Sequence, residues 1–299
     1  MPDWIRFVQR VVGRLTGQRE LFALTPEVWG AEGLEPSALR ERQTRLGRLF
    51  GTRFFSRTYP GIPGRVHVHE SMLQNDSAEE LAHYVKVGRS AMQNIEASLA
   101  AAGRAFSDIG ACLDMACGYG RVLRLLTARL DPRRITACDI DEEAVRFCAR
   151  EFGVRPLVSQ KNLRQVRFPA AYDLIWVGSL FTHLEPAAGL DLLDQLVGLL
   201  NPQGLLIFST QGASCLEHIS FYGWVFVPRE AMYREDMATK GLAYSPYFPS
   251  DPAYGITMYR QDKLERIMEE RFGGRMKLVR FKERGWDDHQ DVWAYQKVG

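Results

Sequence analysis

Two glycines spaced by one residue, Gly118 and Gly120, sit inside LDMACGYGRVLRLL, directly after an apolar run that contains Asp114. Glycine has no Cβ, so a turn built on two of them brings backbone N–H groups within reach of a ligand. A helix starting just after such a loop aims the positive end of its dipole at the same place. Nineteen residues beyond Gly120, Asp139 stands at the end of a second apolar run, ITACDI, where a carboxylate can accept both hydroxyls of a ribose. Loop and acid together describe a nucleoside site. Asp139 or Asp141 could instead simply cap the next helix, but Asp141, with Glu142 and Glu143 in the first turn behind it, fits that role better. A dinucleotide site wants GxGxxG, and GYGRVL lacks the third glycine, which argues against a pyrophosphate ligand.

These residues need a strand, a tight loop and a helix, and the chain supplies them in regular alternation. IGACLDM reads as a first strand and GRVLRLLTARL as a helix; ITACDI and DEEAVRFCAREFG repeat the unit. RPLVS, YDLIWVGS and GLLIFST read as third, fourth and fifth strands, with PAAGLDLLDQLVGLL as a helix between the last two. Such spacing requires right-handed crossovers, hence a parallel sheet covered on both faces, with its ligand crevice at the carboxyl ends of the strands. Ahead of the sheet, Ser77 with Glu80 forms a capping box, and Leu81, Tyr84, Val85, Met92, Ile95 and Leu99 make one stripe of a helix ending near Ala102 at Gly103. Toward the carboxyl end, ITMYRQDKLERIMEERFG reads as a helix and MKLVRFKERG and DVWAYQKV as two strands.

The 299 residues, 46% hydrophobic and 25% charged, describe ordinary globular material, without a run apolar enough to span a membrane or a signal peptide; a cytoplasmic location is expected. The net charge of +2 is unevenly spread. Residues 1–65 hold 11 Arg against 6 acidic residues, whereas the remainder holds 27 basic against 30 acidic. YPGIPGR marks the boundary, giving a basic appendage over 1–65 and a main domain over 66–299. Trp4, Val8, Val11, Val12 and Leu15 lie on one helical face and Arg6, Arg10 and Arg14 on another, suited to packing on the protein or to an anionic membrane surface. Five cysteines without a CxxC pair point to reduced core thiols, not disulfides or a metal site.

DMACGYG resembles the glycine-rich motif of class I S-adenosylmethionine-dependent methyltransferases, with Ala116 in place of the usual first glycine. ACDID resembles that family's acidic strand end, YDLIWVGSLFTHL its fourth strand, and LLNPQGLLIFST the turn into its fifth. The resemblance implies a Rossmann-like seven-stranded, mostly parallel sheet with helices on both faces and an antiparallel last strand, preceded here by the helical amino-terminal appendage. It implies S-adenosyl-L-methionine as cofactor. Carried over by position, Asp114 and the backbone of Ala116, Cys117, Gly118 and Gly120 would hold the methionine part, Asp139 the ribose, and Ile140 the adenine face. Asn162 stands where the family has an acidic residue for the adenine amino group, with Ser159 or Gln160 as substitutes; Ser179 and Leu180 would line the site, and Tyr84 and Arg89 are partners for the cofactor carboxylate.

The cofactor's sulfonium makes the methyl electrophilic, so the protein has to align an acceptor lone pair and exclude water. A hydroxyl or carbon acceptor also needs a base. His183, in SLFTHLEP, is the first candidate and His289, in GWDDHQDVW, the second; either could instead be a structural histidine at a helix entry or a turn. GSLF after the fourth strand is not the Asn/Asp-Pro-Pro-aromatic sequence of base-amino methylation, and no Pro-Cys nucleophile follows, which argues against DNA as acceptor. An insertion over 213–259 is dense in aromatics, ten of them between 221 and 259, and suits the wall or lid of a pocket for a small organic or glycan acceptor, O-methylation first. The aromatics could equally be a plain hydrophobic cluster. The alternatives are an RNA methyltransferase using the basic arm, and a noncatalytic cofactor-binding protein that docks on a membrane or partner.

Overall fold

A computed structural model describes residues 52–55, 57–73, 77–222, 229–248 and 250–299. The amphipathic helix expected around Trp4 to Leu15 and most of the basic appendage lie outside the described residues. The chain divides into two compact units, Met1–Tyr84 and Val85–Gly299.

In the first unit, β1 (Thr52–Phe54) pairs antiparallel with β2 (Arg65–His67), and the Pro/Gly-rich YPGIPGR is the connection that brings them together, with Gly61 at φ 73°. α1 (Ala78–Ala101), whose residues from Val85 onward belong to the second unit, starts where the capping pattern requires: Ser77 Oγ accepts the Glu80 N–H at 3.1 Å. It stops at Gly103, left-handed at φ 67°, where the Arg104 N–H closes back onto the Leu99 carbonyl at 2.8 Å.

In the second unit, apolar runs become the strands β3 (Cys112–Met115), β4 (Ile135–Asp139), β5 (Arg155–Val158), β6 (Tyr172–Val177) and β7 (Leu200–Thr210). With β10 (Met276–Trp286) and β11 (Gln290–Lys297) they form a seven-stranded sheet in the order β10-β11-β7-β6-β3-β4-β5. β11 runs antiparallel to both of its neighbours, and the pairs from β7 through to β5 are parallel. Between β3 and β11 come α2 (Leu123–Leu126), α3 (Glu142–Phe152) and α4 (Pro186–Leu199), and later α6 (Gln261–Phe272). Strand periodicity sorts the core: Cys112, Leu174 and Trp176 face the layer holding Ile95, Leu123 and Phe147, whereas Leu113, Ile175 and Val177 face Leu196, Leu264 and Phe272. Each such side chain contributes about 1.5–3 kcal/mol by leaving water.

Three expectations are corrected. The helix anticipated over GRVLRLLTARL is regular only for Leu123–Leu126. Beyond it the Ala128 and Arg129 N–H groups bond three residues back, and the Thr127 hydroxyl takes the Leu123 carbonyl at 3.0 Å, so the chain tightens into turns before Pro132. One helical turn sums too few peptide dipoles to aim a useful field at the loop. ITMY is not the start of a helix but the end of a strand, and α6 begins at Gln261. The fifth strand begins at Leu200, four residues before the expected glycine.

Gly88 and Gly120 are demanded by close packing. A Cβ at Gly88 would lie 2.6 Å from Leu125 Cδ1, so α1 seats directly on the segment after the glycine loop. Gly120 has φ 83°, and a Cβ there would overlap the Phe152 ring and lie 3.2 Å from Cys148 Sγ. Gly120→Ala therefore combines a left-handed backbone with overpacking and is expected to destabilise the fold by about 2–4 kcal/mol. A circular-dichroism melt should show a midpoint lowered by roughly 5–15 °C, and an unchanged melt would contradict this packing.

Candidate active site

Where β3 ends, the chain turns through three left-handed residues: Ala116 at φ 60°, Gly118 at φ 52° and Gly120 at φ 83°. Alanine costs about 1–2 kcal/mol in that conformation, which explains why a glycine is natural where Ala116 stands. Among the described residues nothing lies within 4 Å of where a Cβ of Gly118 would be. Its N–H donates to Asp139 Oδ2 at 2.8 Å, and the Asp141 N–H donates to Asp139 Oδ1 at 2.9 Å, so the acid at the end of β4 is pinned to the loop. Asp141 caps α3, accepting the Glu143 and Ala144 N–H groups at 3.0 and 3.2 Å. Cys117 is buried, and its thiol and that of Cys148 both point at the Gly118 carbonyl, at 3.5 and 3.3 Å.

Two acids are taken out of water at this edge. Asp114 is buried, its Oδ2 has no hydrogen-bond partner among the described residues, and burial with the nearby Asp139 pushes its carboxyl up to about 8. Burial likewise raises Asp139 above its ordinary range. Two desolvated carboxyls beside an open glycine turn call for a ligand that brings positive charge and hydroxyl donors. On the neighbouring ends of β4 and β5, Ile140 and Val158 are two of the three large hydrophobics left exposed among the described residues, an apolar surface suited to a flat ring. These residues fit S-adenosylmethionine, with its ammonium, sulfonium, ribose and adenine.

The other residues anticipated for the cofactor are placed less directly. Asn162 is exposed, and its Oδ1 is engaged by the Arg164 N–H at 3.0 Å, capping a short turn. Ser159 is buried, with its N–H on the Asp139 carbonyl at 2.8 Å, and Gln160 is exposed. Arg89 is exposed on α1. Tyr84 belongs to the first unit, where its hydroxyl donates to Glu70 Oε2 at 2.9 Å. Ser179 and Leu180 follow β6 at the carboxyl edge, both partly buried, and Ser179 is left-handed at φ 62°.

The insertion builds over this edge. After a 3-10 stretch, Ala213–Tyr222, come α5 (Glu230–Thr239) and a hairpin of β8 (Leu242–Phe248) and β9 (Asp251–Tyr259). Main-chain bonds zip β9 onto the segment after β6: Gly255 N–H to the His183 carbonyl at 2.8 Å, Thr257 N–H to the Thr182 carbonyl at 2.9 Å, and Glu185 N–H to the Ala253 carbonyl at 3.1 Å. The hairpin therefore presents Tyr247 and Tyr254 to His183. The His183 ring stacks on Tyr254 with centroids 5.2 Å apart and lies 5.9 Å from the Tyr247 ring. Its Nδ1 is 3.2 Å from the Gly255 carbonyl and 2.8 Å from the Tyr247 hydroxyl. Loss of hydration lowers the imidazole to about 4, so it is neutral at ordinary pH. Lys161 Nζ, after β5, meets Asp251 Oδ2 of the hairpin at 4.0 Å.

His289 comes from a different element. It lies in the turn between β10 and β11, with its N–H on the Trp286 carbonyl at 3.1 Å. The pairing of Asp291 with Thr210 puts that turn at the same carboxyl edge of the sheet. Val158, Gln290, Thr182, Tyr247 and Tyr254 are the residues that sequence reasoning did not single out as site members. Both tyrosines fall in the aromatic-rich insertion, which was the available signal; Val158, Gln290 and Thr182 carried none.

The methyltransferase domain family matches residues 112–204, from β3 into β7. No curated protein matches the chain. Among solved structures it is similar to the N-methyltransferase NodS from Bradyrhizobium japonicum in complex with S-adenosyl-L-homocysteine, at 16% identity over 77% of this chain and 96% of that one, with a TM-score of 0.47. It is also similar to magnesium protoporphyrin IX methyltransferase (ChlM) from Synechocystis with bound S-adenosylhomocysteine, at 14% identity over 76% and 91%, TM-score 0.48. A third is an S-adenosylmethionine-dependent methyltransferase from Clostridium acetobutylicum, at 12% identity over 71% and 92%, TM-score 0.48. The family match runs across β3, the glycine turn and Asp139, so residues 112–204 carry a methyltransferase domain.

Proposed function

We propose that this enzyme methylates a hydroxyl of a small organic or glycan acceptor, with His183 as general base. When bound, S-adenosylmethionine supplies the electrophilic methyl group. In this reading Asp114 and the turn from Ala116 to Gly120 hold its amino-acid part, Asp139 the ribose, and Ile140 with Val158 the adenine. Ser179 and Leu180 border the acceptor space, and the aromatic hairpin keeps water out.

The observation that carries the reading is the state and setting of His183. A neutral imidazole has one N–H. The Gly255 carbonyl beside Nδ1 can only accept, whereas the nearer Tyr247 hydroxyl can accept or donate, so a proton on Nδ1 satisfies both contacts and leaves the Nε2 lone pair as the basic site. An amine acceptor, already nucleophilic when neutral, needs such a base less than a hydroxyl does. His289, at the same sheet edge, is the second candidate for the role.

The test is transfer from methyl-labelled S-adenosylmethionine to separate pools of phenols, sugars with free hydroxyls, amines and RNA. Label in ethers of the first two pools is the expected result. Label confined to amines or RNA would overturn the acceptor class, and for RNA a steep salt dependence would accompany it.

A further inference from the structure

The end of β6 is held by a closed circuit of hydrogen bonds that draws on three adjacent strands. The Ser179 N–H donates to Ser209 Oγ at 2.8 Å, and the Ser209 hydroxyl donates to Gln290 Oε1 at 2.7 Å. Gln290 Nε2 donates to Ser179 Oγ at 2.9 Å. Ser179 Oγ lies 3.2 Å from Thr182 Oγ1, whose hydroxyl donates to the Ser179 carbonyl at 2.5 Å. With the Ser179 hydroxyl donating to Thr182, every hydroxyl in the circuit gives one proton and receives one. Ser209 and Thr182 are fully buried, where water cannot replace a missing partner.

The circuit surrounds a residue that needs holding. Ser179 is left-handed, a conformation that persists only where its surroundings over-determine it. The next residues, 180–184, carry His183 under the hairpin. Only an amide at 290 offers an acceptor for Ser209 and a donor for Ser179 from one side chain; a carboxylate offers the first without the second.

We propose that Gln290 is a positioning residue for methyl transfer: from the last strand it locks the Ser179 turn and so fixes where His183 sits. The role of His183 as base rests on the reading above; its placement by Gln290 does not. The strand itself does not need the amide, because the backbone of Gln290 pairs with Trp286 whatever the side chain.

The test reads placement without an acceptor. Nitrogen-15 histidine NMR on the full chain follows the titration and tautomer of His183, while calorimetry measures S-adenosylhomocysteine affinity and a thermal melt measures folding. In Gln290→Leu the turn is released, and the His183 pKa is expected to climb by about one unit or more toward the ordinary value near 6.5. Affinity for S-adenosylhomocysteine should stay within about threefold, since Asp114 and Asp139 are untouched. Gln290→Glu, which keeps the acceptor and loses the donor, should give a smaller shift. A folded Gln290→Leu protein whose His183 titrates as in the wild type overturns the proposal. If that variant does not fold, Gln290→Glu and Ser209→Ala decide it by the same spectrum. A His183→Gln enzyme that still transfers methyl groups at the wild-type rate would remove the base assignment and leave the positioning result standing.

Discussion

Replacing His183 by glutamine is expected to lower kcat roughly 10²- to 10⁴-fold on a hydroxyl acceptor, the range for loss of a general base, while S-adenosylmethionine affinity stays within about twofold. Steady-state kinetics with an acceptor from the labelled pools measures the first and calorimetry the second. The pH dependence has a definite sign. Because burial holds the imidazole down at about 4, the base is unprotonated across the neutral range, and wild-type activity should decline only as pH falls toward that value. A rate that fell through pH 6 to 7 would point to a different base.

The same shift makes a stability statement. The folded imidazole titrates near 4 and the unfolded one near 6.5, so between those values the unfolded chain binds more protons and stability rises with pH, by up to about 3 kcal/mol. Above about 6.5 this contribution is flat. Asp114, raised to about 8, and Asp291, raised to about 6, act with the opposite sign, because the folded state then holds the extra proton. The contribution of His183 is therefore the difference between wild-type and His183→Gln melts across pH 4 to 7. The rings facing it, Tyr247 and Tyr254, are themselves raised by burial and stay neutral throughout.

Asp139→Ala should weaken S-adenosylmethionine and S-adenosylhomocysteine binding roughly 100-fold, the equivalent of about 3 kcal/mol for two hydroxyls that lose a charged acceptor. The same substitution frees the Gly118 and Asp141 N–H groups, so some of the loss comes from a loosened turn. Asp139→Asn keeps an acceptor for one of them and should bind with intermediate affinity. Asp141→Ala is the control: it removes the α3 cap, lowering stability by about 1 kcal/mol, and leaves the ribose carboxylate in place. Unchanged affinity in Asp139→Ala, measured by calorimetry, would place the ribose elsewhere.

Much of the candidate site's geometry was legible because it is local. The spacing from Gly118 to Asp139 reflects one turn, one crossover and one strand, and the parallel pairing of Asp114 with Ala137 then brings loop and acid to the same edge. The Ser77 cap and the Asp141 cap depend only on neighbours three residues away. Where local patterns failed, tertiary packing had overridden them. Ile256 to Tyr259 are buried on both faces, so their run has no alternation to distinguish strand from helix.

From the sequence alone, the alternation of strands and helices from β3 to β7, the glycine turn and the placement of Asp139 beside it were legible, because each depends on contacts a few residues apart or on one crossover whose handedness is restricted. Only the tertiary structure decided what surrounds His183. The tyrosines that enclose it arrive from 64 and 71 positions downstream, and Gln290 reaches Ser179 across 111. No periodicity encodes contacts at that range; they exist because a hairpin zips onto the end of β6 and an antiparallel strand begins beside β7.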